Sequence, residues 1–581
     1  MYRKKIKREG ENTLRNFNPK IYNDAVSSLG DKDVQVVNFD ITRAIAKVIM
    51  SMFGPKGLNK MIIPFLNDPI ITQKGDKVVK TFKSRIPITL MLLDLVKTQE
   101  KNCGDGTKTA LLLTAFLLEK TRDMLALGIP PHIINKGFYI AMNKALEILE
   151  DNIIQFDFQN EHQLIAIIKS VMNHKFTYHY KESLIELIVE TLKNNTDLFF
   201  KSQIFVYSDI MFRKVPGKSA NDSELINGMI IYKDKPNLSL PNKITNAGIL
   251  LIRKSLDFFI QGNKELFPKE VEINSKEMLQ EFSNFRNTYY GNLARLLKQK
   301  GVDVILCQKK INPYFVDYCA SIGIIALELV GEEDIKKLTK LLEINAISSL
   351  SDLSNIRLGN ADSIEFKKIS GDEMFFINIE SSKILTFLIR GGIAPLMDEL
   401  EEILNGSLRV AIQTVKDKKL LPGGGALECE ISQKLKNYAQ NYPNKYQIVI
   451  KEYAKAIENL PAHLIMNSAA EPLDLIPQLR AEHSNGQKHM GFNCTVNDIV
   501  DVVKEGIYDG YFTKKHIIKI ASELARQIIR VDYLIMVYDR KLYEQIEKEG
   551  KEVKSQKHQE KVRKYLNKKD EDLFSDLYET K

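Results

Sequence analysis

The stretch CGDGTKTALLLTAFLLEKTRDML, Cys103 to Leu125, places a Gly-Asp-Gly-Thr turn directly before an apolar, helix-forming run. The start of a helix carries backbone N–H groups without intrahelical partners and the positive end of the helix dipole. Gly104 and Gly106 let a ligand approach those groups, so Gly104, Gly106 and Thr107 form a candidate phosphate cradle. Asp105 adds a carboxylate of the kind that holds an accompanying magnesium. The same residues also make an ordinary turn closed by an Asx hydrogen bond, and at this level both readings stay open. No GxxxxGK motif followed by Ser or Thr is present, so a Walker-type NTPase is not supported. Three more glycine-bearing loops stand elsewhere: FGPKGLNK at 53–60, LIRGG at 388–392 and LLPGGGALECE at 420–430.

The chain is long enough to hold such loops on a large core. Its 581 residues, 44% of them apolar, suit roughly two to four domains. A net charge of +9 is modest for this length, and acidic and basic residues alternate, so no basic stripe marks a nucleic-acid partner. Cys103, Cys307, Cys319, Cys429 and Cys494 lie far apart without a CxxC pair, which suits free thiols in a reducing compartment. His174 and His179 lack the spacing of paired metal ligands. The start MYRKKIKREGENTLRNF has no apolar signal core, and no apolar run reaches the ~18 residues of a membrane span. The expectation is a soluble, cytoplasmic chain that takes neither nucleic acid nor membrane as partner.

Periodicity divides the chain into helical ends and a mixed centre. Apolar spacing predicts helices over Val37–Phe53, Leu90–Gln99, Thr107–Met124 and Ile133–Asn152. β-Branched residues on both sides of Asn67-Asp68-Pro69 predict two short strands. Between about 221 and 370, strands such as AGILLIRK and VDVILCQKK alternate with helical segments, the pattern of an α/β layer. The apolar strand residues around Cys307 read as core, with its thiol buried. Helices return from Lys451 onward, and the end of the chain is a Lys/Glu mixture with an acidic last segment.

In this order the glycine loops resemble those of the group II chaperonins, the family of the archaeal thermosome and the eukaryotic cytosolic chaperonin CCT (TRiC). The resemblance covers nearly the whole chain. REGENTL, GPKGLNKMII, GDGTKTALLLTAFLL, TFLIRGGIAPLMDELEE, LLPGGGALECEIS and ASELARQIIRVDYLI all match family motifs. Within CCT the likeness is strongest to theta subunits, through GPKGLNKM, DKKLLPGGGALE, NGQKHMGF and EGIYDGYFTKKHIIKIASELARQIIRVDYLIM.

The resemblance implies an α+β multidomain chaperonin fold. A mostly helical equatorial domain would take 1–150 and 405–540, a small α/β intermediate domain 151–218 and 369–404, and an α/β apical domain 219–368, with a charged tail over 541–581. The apical helical protrusion would fall on FFIQGNKELFPKEVEINSKEMLQEF. The implied function is that of an ATP-dependent ring subunit. ATP and Mg2+ would be its cofactors, other CCT-type subunits its partners in a hetero-oligomeric double ring, and non-native proteins such as actin and tubulin its clients. Nucleotide contacts would come from Gly54, Pro55, Gly57, Gly104, Asp105, Gly106, Thr107, Lys108, Gly423, Gly424, Gly425 and Asp509, with Asp105 on the magnesium.

Two family carboxylates are missing. Where the family has an Asn-Asp turn this chain has Gln73 and Lys74, and Gly406 falls on the position of the water-orienting Asp. Asp76, Asn405 and Asp417 are the nearby groups that would have to substitute. Phosphoryl transfer depends on positioned charge, so the expectation is a chain that binds nucleotide and hydrolyses it slowly or not at all.

Overall fold

In the computed structural model of the chain, residues 26–63, 70–82, 87–172, 180–196, 198–199, 207–256, 260–261, 264–265, 275–348 and 357–537 are described. Strand β1 (Val26–Gly30) runs into α1 (Asp31–Met50), which begins ahead of the predicted start at Val37 and stops before Gly54. The two predicted strands pair antiparallel as β2 (Lys60–Ile62) and β3 (Ile70–Thr72), and the turn at 67–69 lies outside the described residues. Four helices follow: α2 (Gly75–Thr81), α3 (Pro87–Cys103), α4 (Thr107–Ala126) and α5 (Pro131–Asp151). The run ALLLTAFLL is apolar around the whole circumference of α4, so this helix has to be enclosed. Leu111, Leu112, Leu113, Phe116, Leu117 and Leu118 are all buried. Each contributes about 2 kcal/mol by leaving water.

The centre begins with β4 (Ile154–Gln155), α6 (Glu161–Met172) and α7 (Lys181–Asn194). Next come β5 (Ile210–Pro216), β6 (Glu224–Ile231) and β7 (Lys243–Ile252), then the short pair β8 (Ile260–Gln261) and β9 (Lys264–Glu265). They lead to α8 (Lys276–Gln299), β10 (Val304–Cys307), α9 (Pro313–Ser321), β11 (Ile325–Leu327) and α10 (Glu332–Leu341). Strands β12 (Gly359–Ile369), β13 (Asp372–Asn378) and β14 (Leu385–Gly391) complete an eight-stranded sheet in the order β11-β10-β7-β12-β13-β6-β14-β5. Successive β10 side chains face opposite layers. Val304 and Leu306 pack with Ile335 and Leu338 of α10, whereas Ile305 and Cys307 pack with Leu297 of α8 and Phe315 of α9. Both faces are covered, which is why VILC reads as an unbroken apolar run.

The long helix α11 (Ala394–Asp417) leads back, followed by β15 (Lys419–Pro422), α12 (Ala426–Tyr438), α13 (Lys445–Asn467) and α14 (Pro472–Ser484). The hairpin β16 (Met490–Asn493) and β17 (Asp498–Asp501) precedes β18 (Tyr508–Gly510), α15 (Tyr511–Ile529) and β19 (Tyr533–Val537). Helix α4 is the axis of one core that joins the two ends of the chain, with Ala46 and Ile49 before it and Tyr453, Ile457 and Ile528 from the far end. A second core unites α6, α7 and α11, and β19 closes the circuit by pairing antiparallel with β1. All five cysteines are free and buried, Cys307 among them. Among the described residues, no helix is long and apolar enough to cross a membrane. REGENTL, His174, His179, most of the protrusion segment and the tail over 541–581 lie outside the described residues.

Candidate functional site

The turn before α4 takes its shape from two left-handed glycines, Gly104 at φ 71° and the N-cap Gly106 at φ 79°. Neither position has room for a side chain: an added Cβ would stand 2.5 Å from Arg409 Cδ at Gly104 and 2.6 Å from Ile517 Cδ1 at Gly106. Buried Gln99 donates from Nε2 to the Asp105 carbonyl at 2.8 Å, and its Oε1 lies 2.7 Å from His516 Nδ1. This clamp joins α3, the turn and α15. Lys108 in the first turn of α4 donates from Nζ to the Met52 carbonyl at 2.9 Å and so ties down the 53–60 loop. That loop bends at Gly54, φ 82°, and passes so close to itself that a Cβ on Gly57 would lie 2.3 Å from the Met52 oxygen. Pro55 sits exposed at its tip.

A cavity of about 250 Å³ opens beside this turn. Of the predicted site residues, Lys74, Gly104, Asp105, Thr107 and Lys108 line it. Its far wall is α11, through Asp398, Glu399 and Glu402. Lysines meet several of its carboxylates: Lys74 Nζ is 2.9 Å from Glu100 Oε1, Lys77 pairs with Glu402, and Lys214 Nζ is 2.6 Å from Asp398 Oδ1. Burial presses Lys74 toward its neutral form, but Glu100 and Glu402 outweigh it and its pKa is raised. It stands in the cavity as an ammonium. Asn59 Oδ1 and Gln73 Oε1, from two further lining residues, are buried without a hydrogen-bond partner.

Gly406 is buried on α11, one turn beyond the cavity-lining Glu402 and Ile403 and on the same stripe of the helix. None of the three candidate substitutes lines the cavity. Asp76 receives Lys80 on Oδ2 at 2.8 Å and has Oδ1 buried without a partner. The Asn405 amide oxygen accepts from Arg409 Nε at 3.2 Å, and both Asp417 oxygens accept from Gln413 at 3.0 Å.

The remaining predicted residues form an adjoining group outside the cavity lining. Gly424 and Gly425, at φ 59° and 79°, turn the chain from β15 into α12. A Cβ on Gly425 would be 2.6 Å from Pro461 Cβ, and one on Gly54 would be 2.6 Å from Leu464 Cδ1. Pro461 and Leu464 are neighbours on α13, so the 53–60 loop and the triple glycine rest on one helix face. The backbone N–H of Gly423 donates to Ile507 O at 3.0 Å, next to β18. Asp509 of β18 lies 3.0 Å from Lys514 Nζ, which also binds Glu428. Burial and the charges of Glu428 and Asp105 push the Asp509 carboxyl up against the pull of Lys514. Gln99, Arg409, Lys514 and His516 were not singled out from the sequence. Their only signal was position, Gln99 just before the turn and Arg409 three residues after Gly406.

The model for the TCP-1/cpn60 chaperonin family matches residues 45–538. The thermosome subunit of Methanopyrus kandleri is 31% identical over 505 residues, 87% of this chain and 92% of that relative. Thermosome subunit alpha of Thermoplasma acidophilum is 31% identical over 505 residues, and thermosome subunit beta of Methanothermobacter thermautotrophicus 32% over 506, with the same shares covered. A match of this extent carries both the glycine-loop site and the mixed sheet between the helical ends, and the chain belongs to the TCP-1/cpn60 chaperonin family as a group II chaperonin subunit.

Proposed function

We propose that the chain is a theta-like subunit of a cytosolic, CCT-type hetero-oligomeric double ring that helps fold proteins such as actin and tubulin, and that it binds ATP but hydrolyses it slowly or not at all. The observation that carries this reading is the cavity beside the glycine turn at the start of α4, which has Lys74 in its lining and Gly406 one helical turn beyond it, at the two carboxylate positions of the family pattern. ATP would lay its phosphates at Gly104, Gly106 and Thr107, with Gly54, Pro55, Gly57, Gly423 to Gly425 and Asp509 flanking the rest of the nucleotide. Asp105 is the residue that would hold magnesium, which neutralises phosphate charge when bound. Lys74 cannot take a proton from water while it is charged, and Gly406 has no side chain to orient one. The core shared by residues 39–149 and 421–529 supports the assignment of 1–150 and 405–540 to the equatorial domain, with 151–218 and 369–404 as the hinge and 219–368 as the client-binding part.

A diverged scaffold outside the folding ring is the second reading, and the lost carboxylates suit it equally. Ring membership is favoured by the retained terminal segments REGEN and RQIIRVDYLIM, of the kind that form the inter-subunit sheet in ring-forming relatives, and by the exposed apolar side chains of Leu58 and Met61 near the β2–β3 hairpin. Such a patch asks for a covering surface. The test is purification of the tagged chain from its own cells, with native gel sizing and mass spectrometry of the co-purifying proteins. A very large complex of several related subunits is the expected result, and a monomer or a small complex without them overturns the ring assignment.

A further inference from the structure

We infer that Lys74 supplies the positive charge that a divalent cation otherwise brings to bound nucleotide, so that this chain binds nucleoside triphosphate without requiring magnesium. The inference rests on the nucleotide reading above. Lys74 is the N-cap of α2, and the next residue, Gly75, packs on the first turn of α4: a Cβ there would be 3.4 Å from Thr107 Oγ1 and 3.7 Å from Lys108 N. The Lys74 side chain therefore enters the cavity beside the same helix start that offers backbone N–H groups to a phosphate. Glu100 takes one of its three ammonium donors, at 2.9 Å.

Three of the carboxylates around the cavity are held by lysines. Glu100, Asp398 and Glu402 are bound by Lys74, Lys214 and Lys77. Among the described residues, no group of three or more His, Cys, Asp or Glu is placed to hold a metal ion. Asp105 and Glu399 also line the cavity, and a cation shared between Asp105 and the phosphates would sit in the field of the Lys74 ammonium, which opposes it. The cavity wall also holds the buried, partnerless amide oxygens of Asn59 and Gln73. Such acceptors are costly unless a bound molecule donates to them.

The test is photo-cross-linking of the purified complex with 8-azido-ATP, read on the peptides of this chain, in magnesium and in excess EDTA. Labelling in EDTA is expected within about twofold of that in magnesium. In Lys74→Asp, EDTA should reduce labelling about tenfold and magnesium should restore it. Co-migration of the variant with the intact complex on a native gel verifies its folding, and Lys74→Arg should behave as the parent chain does. Loss of labelling in EDTA with retention in magnesium overturns the role of Lys74 and leaves the nucleotide site standing. Equal labelling of Lys74→Asp in both conditions overturns it as well. No labelling of the chain in either condition overturns the nucleotide site itself.

Discussion

The Arg409 guanidinium lies 4.0 Å from the centre of the Tyr207 ring and donates from Nη1 to the carbonyls of Glu100 and Lys101, at 3.2 and 2.6 Å. One side chain of α11 thus holds the last turn of α3, next to the Gly104 turn, and places positive charge at that helix end. Burial pushes the Tyr207 phenol well above its usual range, and its hydroxyl donates to Asn405 O at 2.8 Å.

Arg409→Ala is expected to cost about 2–4 kcal/mol, because two charge-assisted hydrogen bonds and a stacked ring contact go together. Arg409→Lys should recover only a small part, since an ammonium neither stacks nor spans two carbonyls as a planar fork does. Urea denaturation supplies the energies. Hydrogen exchange over 99–106 should quicken in the alanine variant, and unchanged protection there would show that Arg409 does not hold the turn.

Gly104→Ala combines a left-handed backbone with a Cβ 2.5 Å from Arg409 Cδ. A loss of about 1–3 kcal/mol is expected. Part of it is a clash with Arg409, so the double variant Gly104→Ala/Arg409→Ala should lose less than the sum of the two. Strict additivity in a double-mutant cycle would assign the whole cost to the backbone.

Helix α4 and the β2–β3 pair were legible because their signals are local: apolar periodicity in one, β-branched residues around a turn in the other. The start of α1 was not, because Asp31–Gln35 carries little apolar spacing and its place is set by the chain leaving β1. The glycine turn was readable, but its supports were not. His516 and Arg409 both reach it from the far, C-terminal part of the sequence, and only the closed fold brings them to Gln99 and Glu100. The charge of the cavity was half legible: Lys74 stood out against the family pattern, while its binding to Glu100 depends on how α2 packs on α3.

Glu458 is buried between Arg480, with Nη2 and Nε at 2.6 and 2.8 Å, and Lys436 Nζ at 2.9 Å. Burial pushes its carboxyl up, but the hydrogen bonds of Arg480 and Lys436 outweigh burial, and the folded pKa lies below 4.5. A depressed acid adds stability that is full above the unfolded pKa and is lost as the pH falls through the folded one. Glu458→Gln should therefore lose about 3 kcal/mol at pH 7 and show a flatter fall in stability below about pH 4.5. Parallel acid limbs for the two proteins in thermal unfolding would rule Glu458 out as a source of the pH dependence.

Gly406 and Lys74 together account for the proposed lack of hydrolysis, so restoring only one carboxylate should do little. Lys74→Asp alone leaves no group to orient water from α11, and Gly406→Asp alone leaves an ammonium at the other carboxylate position. Lys74→Asp/Gly406→Asp supplies both, on the cavity edge and on the stripe of α11 that already carries Glu402. General-base positioning is worth about 10²–10⁴ in rate, and single-turnover ATP hydrolysis by the purified full-length double variant should rise at least tenfold over the parent chain. Circular dichroism and the unfolding midpoint verify that the variant is folded, because an aspartate at buried Gly406 carries a desolvation cost. A folded double variant that binds ATP and still hydrolyses it no faster would mean that something other than these two positions keeps the site inactive.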